Sequence, residues 1–232
     1  DQRHTGLLYP AVGLSGRNGL DWKQPIYLNL APNYDATLEP RYMSKRGFQL
    51  GAEFRYLYEN GRCEIQGTWI TRDDLVRDGM NQPDYKPGNP NNPDPDEGRG
   101  FFSYLGSHRF NRHWQVRANL TWLSDARYRE DFGNSLYGQA SSSMTSTVGI
   151  YGSGEYWDAG LMADHWQLAD YLSSERSLPY NRLPRLYLNW NQPLSRWMTV
   201  GGHAEVAKFQ HDEKDGGSRL DLKPTISFPI QG

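Results

Sequence analysis

Residues 6–43 read GLLYPAVGLSGRNGLDWKQPIYLNLAPNYDATLEPRYM, and this stretch decides the fold. Alternating apolar and polar residues, interrupted by turn-forming residues, predict three consecutive β-strands. Pro10 and Pro25 lie inside the first two of these strands. Proline has no N–H to donate to a neighbouring strand and is normally confined to edges, strand starts and bulges. The first hairpin is therefore expected to be weak at the level of its prolines.

The register of this hairpin depends on its turn, which the sequence places at Arg17, Asn18 and Gly19. A turn centred on Arg17 and Asn18 would put Pro10 directly opposite Pro25. A turn centred on Asn18 and Gly19, the dipeptide preferred in tight hairpins, would leave the two prolines two residues out of step. In either register, one level of the hairpin lacks hydrogen bonds from both strands.

The composition suits a single-layer sheet better than a large buried core. The 232 residues have a formal net charge of −2 and a mean hydropathy of −0.82, with 15 Tyr, 8 Trp and 8 Phe but only 37% hydrophobic residues. So balanced a charge argues against nucleic acid as a partner. One apolar face, one polar face and aromatic girdles are typical of a membrane β-barrel. A soluble β-sandwich rich in surface Tyr and Trp, such as a carbohydrate-binding module, has a similar composition.

Alternation with a period of two recurs along the chain, as in FQLGAEFRY (48–56) and WQVRANLTW (114–122). No segment keeps a helical period, so almost no helix is expected. We predict about twelve strands, most of them close to the roughly 9–11 residues that cross a bilayer at a tilt. They lie near 7–15, 20–30, 34–43, 48–57, 62–71, 100–109, 114–123, 144–152, 156–166, 183–191, 197–208 and 219–229.

The connections between these strands differ in length in a regular way. Those after strands two, four, six, eight and ten are short, whereas those after strands five, seven, nine and eleven are long, at 72–99, 124–143, 167–182 and 210–218. An up-and-down meander places alternate connections at opposite ends, and outer-membrane barrels have short periplasmic turns and longer extracellular loops. The sequence therefore favours an all-β, antiparallel up-and-down transmembrane barrel over the soluble sandwich.

The two ends of the chain suggest that it is one piece of that barrel. The start lacks the basic and apolar pattern of a signal peptide, so either that segment has been removed or the chain is an internal piece of a longer one. No apolar run reaches the roughly 20 residues of a membrane helix. The chain stops at SFPIQG (227–232), directly after a predicted strand. Because a last strand must pair with the first to remove the sheet edges, we expect residues 1–232 to be the first part of a larger barrel.

No pattern of residues predicts an enzyme, a cofactor or a metal site. The six histidines stand at neither H-x-x-x-H nor H-x-H spacing, and no serine lies in a G-x-S-x-G elbow. A hydrolase site that pairs His108 or His203 with a strand serine is the weaker alternative. The single cysteine, Cys63, is interpreted as a small strand residue. Polar strand residues are expected to line a hydrated lumen, and the main candidates are Asp21, Lys23, Asn29, Arg55, Arg219 and Asp221.

The first stretch resembles the LptD family of lipopolysaccharide-assembly proteins of the Gram-negative outer membrane. The barrel of that family begins with G-[FL]-L-[FY]-P, here residues 6–10. It continues with P-Y-Y-x-N-[IL]-A-P-N-x-D-A-T-x-x-P-x-Y-M, here residues 25–43, with Ile26 in place of the usual Tyr. The resemblance spans essentially the whole chain, with further matches at GAEFRYL (51–57), LSDARYREDFGN (123–134), LPRLYLN (183–189) and SRLDLKPTISFP (218–229).

The resemblance implies a non-enzymatic translocon that inserts lipopolysaccharide into the outer leaflet. It implies a barrel of about twenty-six strands preceded by a periplasmic jellyroll domain. This chain would lack the jellyroll and the C-terminal half of the barrel, and the family's disulfide-forming cysteines lie outside it. The implied partners are lipopolysaccharide, outer-membrane lipid, the LptE lipoprotein as a plug in the lumen, the LptA periplasmic bridge and the BAM assembly machinery.

Under this resemblance the lipid leaves through a lateral gate, a seam between the first and last strands of the barrel. The first strands form one side of it, with Pro10 and Pro25 as its candidate residues. Opening an ordinary ladder would expose several unpaired backbone groups to lipid, at several kcal/mol each. Prolines remove donors in advance, so less is lost when the first strand separates. Two alternatives stay open: the prolines only mark an edge or a bulge, or the protein is a general porin or an adhesin-like barrel.

Overall fold

The computed structural model describes residues 3–78, 91–132, 143–170 and 172–228. Its strands are β1 (Gly6–Leu7), β2 (Ala11–Ser15), β3 (Gly19–Lys23), β4 (Ile26–Ala31), β5 (Tyr34–Met43), β6 (Gly47–Tyr58), β7 (Gly61–Ile70), β8 (Arg99–Arg109), β9 (Trp114–Leu123), β10 (Ser143–Ser153), β11 (Trp157–Leu168), β12 (Asn181–Ser195), β13 (Met198–His211) and β14 (Lys214–Ser227). The connections contain two short helices, α1 (Asp74–Arg77) and α2 (Tyr128–Phe132), and a 3-10 turn at Glu175–Ser177. None of the described helices has the length and apolarity needed to cross a bilayer. The predicted all-β fold class is confirmed.

The strands follow one another through the sheet in nearly the order of the chain. The order is β1-β4-β5-β6-β7-β8-β9-β10-β11-β12-β13-β14, with β2 paired to β3 and β3 also paired to β5. Neighbouring strands run antiparallel, as the meander predicted. The chain packs as two units, 1–105 with 120–144 and 167–174, and 106–119 with 145–166 and 175–232. Closure of the sheet into a larger barrel stays a prediction.

The number of strands rises from about twelve to fourteen because the first two predicted strands are each divided. The first becomes β1 and β2, which are separated by residues 8–10. The second becomes β3 and β4, which are separated by Gln24 and Pro25. Each division contains a proline, as expected for a residue that cannot donate to a ladder. Each of the other predicted strands has a single counterpart in the same region.

The strands present one apolar and one polar face. In the first unit, Phe48 and Leu50 of β6 are 57% and 46% exposed, whereas Gln49 between them is 3% exposed. In the second unit, Leu220 and Leu222 of β14 are 65% and 63% exposed. Apolar surface of this extent marks a face that meets a partner or lipid rather than water. The alternation predicted from the sequence is therefore present, with its apolar face uncovered.

The first unit has a small buried core at one end of its strands. Its members are Met43, Ile70, Phe101, Leu123, Tyr128, Phe132 and Ala169. Met43, Ile70 and Leu123 are the last residues of β5, β7 and β9, and two further members come from α2. The core therefore packs the connections that follow these strands onto the strand ends.

The connection at 210–218 is not the long loop that its sequence predicted. β13 and β14 continue through it to a two-residue turn at Asp212 and Glu213, with His211 opposite Lys214. Gly, Asp and Lys have low strand propensity, but pairing across a hairpin overrides that preference. Within the other long connections, residues 79–90 and 133–142 lie outside the described residues, as do the final residues 229–232.

Candidate functional site

The first hairpin, residues 6–31, turns at residues 16–18 and not at either predicted centre. Ser15 pairs with Gly19, so a three-residue loop joins β2 to β3. Gly19 has a φ of +69°, the left-handed conformation that commonly ends a three-residue hairpin loop. Both predicted registers are therefore wrong, and Pro10 does not lie opposite Pro25.

The first hairpin is broken on one side only. Residues 8–10 separate β1 from β2, whereas only Gln24 and Pro25 separate β3 from β4, so the first strand has one extra residue, a β-bulge. On the other side, the second strand keeps an unbroken register against β5 from Asp21 to Asn29. We call residues 8–10 together with Gln24 and Pro25 the proline break.

The bulge keeps the apolar side chains of the first strand on one face. In a regular strand, Leu7 and Val12 would point to opposite faces, because successive residues alternate. With the extra residue, Leu7 pairs with Ile26 and Val12 pairs with Trp22, and these two partners share a face of the second strand. The broken register therefore follows from the position of the apolar residues as well as from the prolines.

Two backbone donors are missing at the proline break. Leu8 N donates to Pro25 O over 3.0 Å, and the reciprocal bond of the antiparallel pair would need the N–H that Pro25 lacks. Gln24 N donates to Pro40 O over 3.0 Å, and there too the reciprocal donor would be a proline nitrogen. At Gln24 and Pro25, the second strand thus makes one backbone hydrogen bond where an antiparallel pair would exchange two. The bond of Gln24 is to β5, and that of Pro25 is to the first strand.

The side chain of Gln24 supplies a hydrogen-bond donor at the proline break. Its Nε2 donates to Leu8 O over 2.9 Å and to Pro25 O over 3.1 Å. We call these two hydrogen bonds the Gln24 bridge. Gln24 takes a position on the apolar face, between Trp22 and Ile26, where a polar side chain needs partners. The bridge gives it two.

The turn of the first hairpin is fixed by charged side chains from later in the chain. Arg17 Nη2 lies 3.2 Å from Glu130 Oε1 of α2. Arg46 Nε donates to Asn18 Oδ1 over 2.8 Å, and Arg46 itself is fully buried. The β2–β3 half of the hairpin is therefore anchored at its turn, in contrast to the β1–β4 half beyond the proline break.

Arg46 belongs to a buried charge cluster, which consists of Arg46, Arg99, Arg127, Asp73, Asp125 and Asp131. Asp73 Oδ2 accepts from Arg46 Nη1 and from Arg99 Nη1, each over 2.7 Å. Asp131 lies 2.9 Å from Arg99 Nη2 and 3.2 Å from Arg127 Nε. Equal numbers of guanidinium and carboxylate groups satisfy the requirement that buried charges be paired. The cluster ties the β5–β6 turn to the connections that follow β7 and β9.

Two side chains of α2, which lies in a connection, have shifted pKa values. Burial would raise the pKa of Asp131, but the three guanidinium groups of the buried charge cluster outweigh burial and hold this pKa below its ordinary value. Burial raises the pKa of Tyr128 to about 12. Tyr128 also accepts a hydrogen bond from Gln49 Nε2 over 2.7 Å. At pH 7, Asp131 is therefore ionised and Tyr128 is neutral.

The six polar residues predicted to line a lumen lie on the polar faces of their strands. In the first unit, Asp21 accepts from Arg41 at 2.8 and 2.6 Å, Lys23 lies 2.9 Å from Glu39, Asn29 donates to Arg3 O over 2.7 Å, and Arg55 donates to Asp35 at 2.8 and 2.7 Å. In the second unit, Asp221 lies 3.1 Å from Arg219 and 3.2 Å from Lys223. Most of these contacts are pairs between neighbouring strands or within one strand, so they do not converge on a single site. Their exposure to a lumen stays a prediction.

Neither Gln24 nor the buried charge cluster was predicted from the sequence. A signal for Gln24 was available, since a glutamine occupies an apolar position of the alternation directly before a proline. The cluster joins Arg46 to residues 73 and 131, and no local pattern connects positions so far apart. Within the ranges that the structure covers, no three His, Cys, Asp or Glu side chains come together as they would around a metal ion.

Comparisons with known proteins agree with the resemblance seen in the motifs. Residues 97–232 match the family model described as LPS transport system D. The LPS-assembly protein LptD of Xylella fastidiosa (strain Temecula1) is 48% identical over 252 residues, and that of Xanthomonas campestris pv. campestris (strain 8004) is 49% identical over 262 residues. Each alignment covers 100% of this chain but only 29% and 30% of the relatives.

A solved chain from a study of in-meso crystallization of membrane proteins is 14% identical, with a TM-score of 0.27 over 97% of this chain and 83% of that chain. That likeness is too weak to bear on the fold. The family model alone covers more than half of the 232 residues. The chain therefore belongs to the LptD family, LPS transport system D, and spans about three tenths of the length of the curated relatives it matches.

Proposed function

We propose that this chain is part of an outer-membrane translocon for lipopolysaccharide, and that its first strand separates from the second at the proline break. One observation carries the proposal: the second strand keeps its register against β5 but loses its register toward the first strand, although a proline removes one donor on each side. A break confined to one side lets the first strand leave without disturbing the rest of the sheet.

The two faces of the sheet suit this role. Apolar side chains such as Phe48 and Leu220 would meet lipid, and the paired polar side chains opposite them would line a hydrated lumen. In the proposal, the lipid A part passes sideways into the outer leaflet while the sugars leave through the lumen. The protein is non-enzymatic in this scheme. The family resemblance supports LptE as a lumen plug, LptA as the periplasmic donor and the BAM machinery for assembly.

The energetics of opening favour the β1–β4 half of the first hairpin as the moving part. β1 and β4 share two paired residues, and Leu8 adds one backbone bond to Pro25. Opening a membrane strand leaves unpaired backbone groups in lipid at several kcal/mol each, so a short ladder with a missing donor opens at the lowest cost. The β2–β3 half has five paired residues and an anchored turn, and it stays in place.

The experiment is the double substitution Pro10→Ala and Pro25→Ala in the full-length protein that contains this segment. Restored N–H donors should strengthen the first hairpin and slow the arrival of new lipopolysaccharide at the cell surface. Pulse labelling of lipopolysaccharide, followed by detection at the surface with a modifying enzyme, measures the rate. We expect a reduction of about fivefold, which corresponds to one additional net hydrogen bond.

Pro224→Ala is the matched control, because Pro224 lies in a strand whose ladder runs through it without a register shift. It should leave the rate of delivery unchanged. A normal rate in the double variant, at normal protein abundance, would rule out a weakened seam at Pro10 and Pro25.

A further inference from the structure

The Gln24 bridge occupies the place of a backbone hydrogen bond. In an antiparallel sheet, a hydrogen-bonded pair of residues exchanges two N–H to O=C bonds. Leu8 and Pro25 make the first of these, at 3.0 Å, and proline chemistry forbids the second. Leu8 O would then have no donor from the second strand. Gln24 Nε2 donates to this same carbonyl over 2.9 Å and completes the pair.

The position of Gln24 is set from the other side of the strand. Its backbone N donates to Pro40 O over 3.0 Å, so the residue is held by β5 and not by β1. Its side chain, in contrast, reaches toward the first strand. Gln24 therefore stays with the second strand when β1 moves, and only its side-chain contact crosses the seam.

The second hydrogen of the same amide matters for the open state. A primary amide has two N–H donors, and Gln24 uses the other one on Pro25 O over 3.1 Å. If β1 leaves, Pro25 O loses the donor of Leu8 but keeps that of Gln24. Pro25 has no N–H to be left unpaired. At this level, the edge that remains in the sheet then exposes no unpaired backbone group to lipid, where each such group is costly.

We propose that Gln24 is a positioning residue of the gate: its side-chain amide substitutes for the missing proline donor when the first strand is closed, and satisfies Pro25 O when that strand is open. This inference rests on the proposed function, since it concerns the same seam. It adds that the Gln24 side chain keeps the proline break hydrogen-bonded while the first strand is closed.

The test is a double-mutant cycle on hydrogen exchange in the full-length protein, with the Leu8 amide as the reporter. Gln24→Leu removes the donor and should speed exchange of the Leu8 amide about fivefold, the effect of one net hydrogen bond. Gln24→Glu, which also lacks the donor, should do the same. Combined with Pro25→Ala, which supplies the missing backbone donor, Gln24→Leu should have no effect. Gln115→Leu, on β9, is the control for a strand glutamine and should leave the Leu8 amide unchanged.

Equal acceleration by Gln24→Leu with and without Pro25→Ala would show a packing role and overturn the inference, as would unchanged exchange in both Gln24 variants. These outcomes are separate from the delivery experiment on the double proline variant. Coupled exchange with normal delivery in that variant would support the Gln24 bridge and refute the gate. Uncoupled exchange with slowed delivery would support the gate and refute the bridge.

Discussion

The first hairpin and the last hairpin, β13–β14, both contain a proline, and only the first loses its register at that proline. In the last hairpin, Pro224 lies opposite Gly202 within a register that continues without a shift from Thr199 to Phe209. A ladder can run through proline only where the missing N–H points away from the partner strand. In the first hairpin, the missing N–H of Pro25 points at Leu8 of its partner. In these two hairpins, the register is lost where the missing donor faces the partner strand and is kept where it faces away. The missing donor of Pro40 also faces its partner, Gln24, but there the register against β5 is kept.

The turns of the two hairpins differ as well. Asn18, in the turn of the first hairpin, accepts from Arg46, whose guanidinium is fully buried. Beside the turn of the last hairpin, Lys214 is partly exposed and lies 3.4 Å from Leu178 O. The first hairpin is thus firmly held at its turn and weak in its middle, whereas the last hairpin keeps its register from Thr199 to Phe209, shifts by one residue before His211 and has a lightly held turn. This distribution allows one half of the first hairpin to move while the other half stays.

The largest expected effect comes from removing the anchor of the first turn with Arg46→Ala. Asp73 and Asp131 would each lose a buried cationic partner, and breaking a buried ion pair typically costs about 3–5 kcal/mol. Urea unfolding of the full-length protein in detergent measures the loss. Hydrogen exchange should accelerate at residues 15–20 of the first turn and stay unchanged at residues 209–216 of the last one.

Arg62→Ala is the matched control for the loss of an arginine, because Arg62 is exposed on β7. It should change the free energy of unfolding by less than about 0.5 kcal/mol. If Arg46→Ala has an effect equally small, the buried charge cluster does not anchor the first hairpin.

The contrast between the two hairpins was partly predictable from the sequence. Period-two alternation located the strands, and Pro10 and Pro25 marked where the first two would divide. Both predicted registers were wrong because each assumed a two-residue turn, centred on Arg17 and Asn18 or on Asn18 and Gly19, whereas the loop has three residues. In addition, the faces of Leu7 and Val12 require a bulge, and this bulge shifts the register once more at residues 8–10.

Other parts of the site depend on contacts that sequence order does not encode. The buried charge cluster brings Arg46 to Asp131, and neither residue has a local motif that names the other. The short turn at Asp212 and Glu213 was hidden by the loop-like composition of residues 210–218, because only pairing between β13 and β14 makes the residues on either side of the turn extended. Gln24 lies between these cases. Its position on the apolar face could be predicted from the sequence. Its partners could not, because they depend on the bulge that brings Leu8 O within hydrogen-bonding distance.

An alkaline titration tests the packing beside the buried charge cluster through Tyr128, whose ring lies under the guanidinium of Arg99. The folded state keeps this hydroxyl protonated up to a pKa of about 12, whereas an unfolded chain loses the proton near pH 10. Stability from Tyr128 is therefore fully present below pH 10 and is lost as pH rises toward 12. The loss reaches about 2–3 kcal/mol, at roughly 1.4 kcal/mol per pH unit.

The measurement is the free energy of unfolding at pH 9, 10 and 11 for the wild type and for Tyr128→Phe. The wild type should fall more steeply with pH, because the phenylalanine has no proton to lose. Parallel pH profiles would show that burial of this hydroxyl does not contribute to the free energy of unfolding.

The smallest effect is expected from moving the proline of the last hairpin by one residue, which tests the role of donor direction without changing the composition. In the swap Pro224→Thr with Thr225→Pro, the missing donor moves to the position opposite Gly201 and points at β13. One ladder bond is lost and a carbonyl is left unpaired, so the swap should cost about 1–2 kcal/mol and speed exchange of nearby amides in β13. Pro224→Thr alone, which only adds a donor facing away from β13, should leave those amides unchanged. If both variants behave alike, the direction of the missing donor is irrelevant, and the break in the first hairpin must come from its bulge alone.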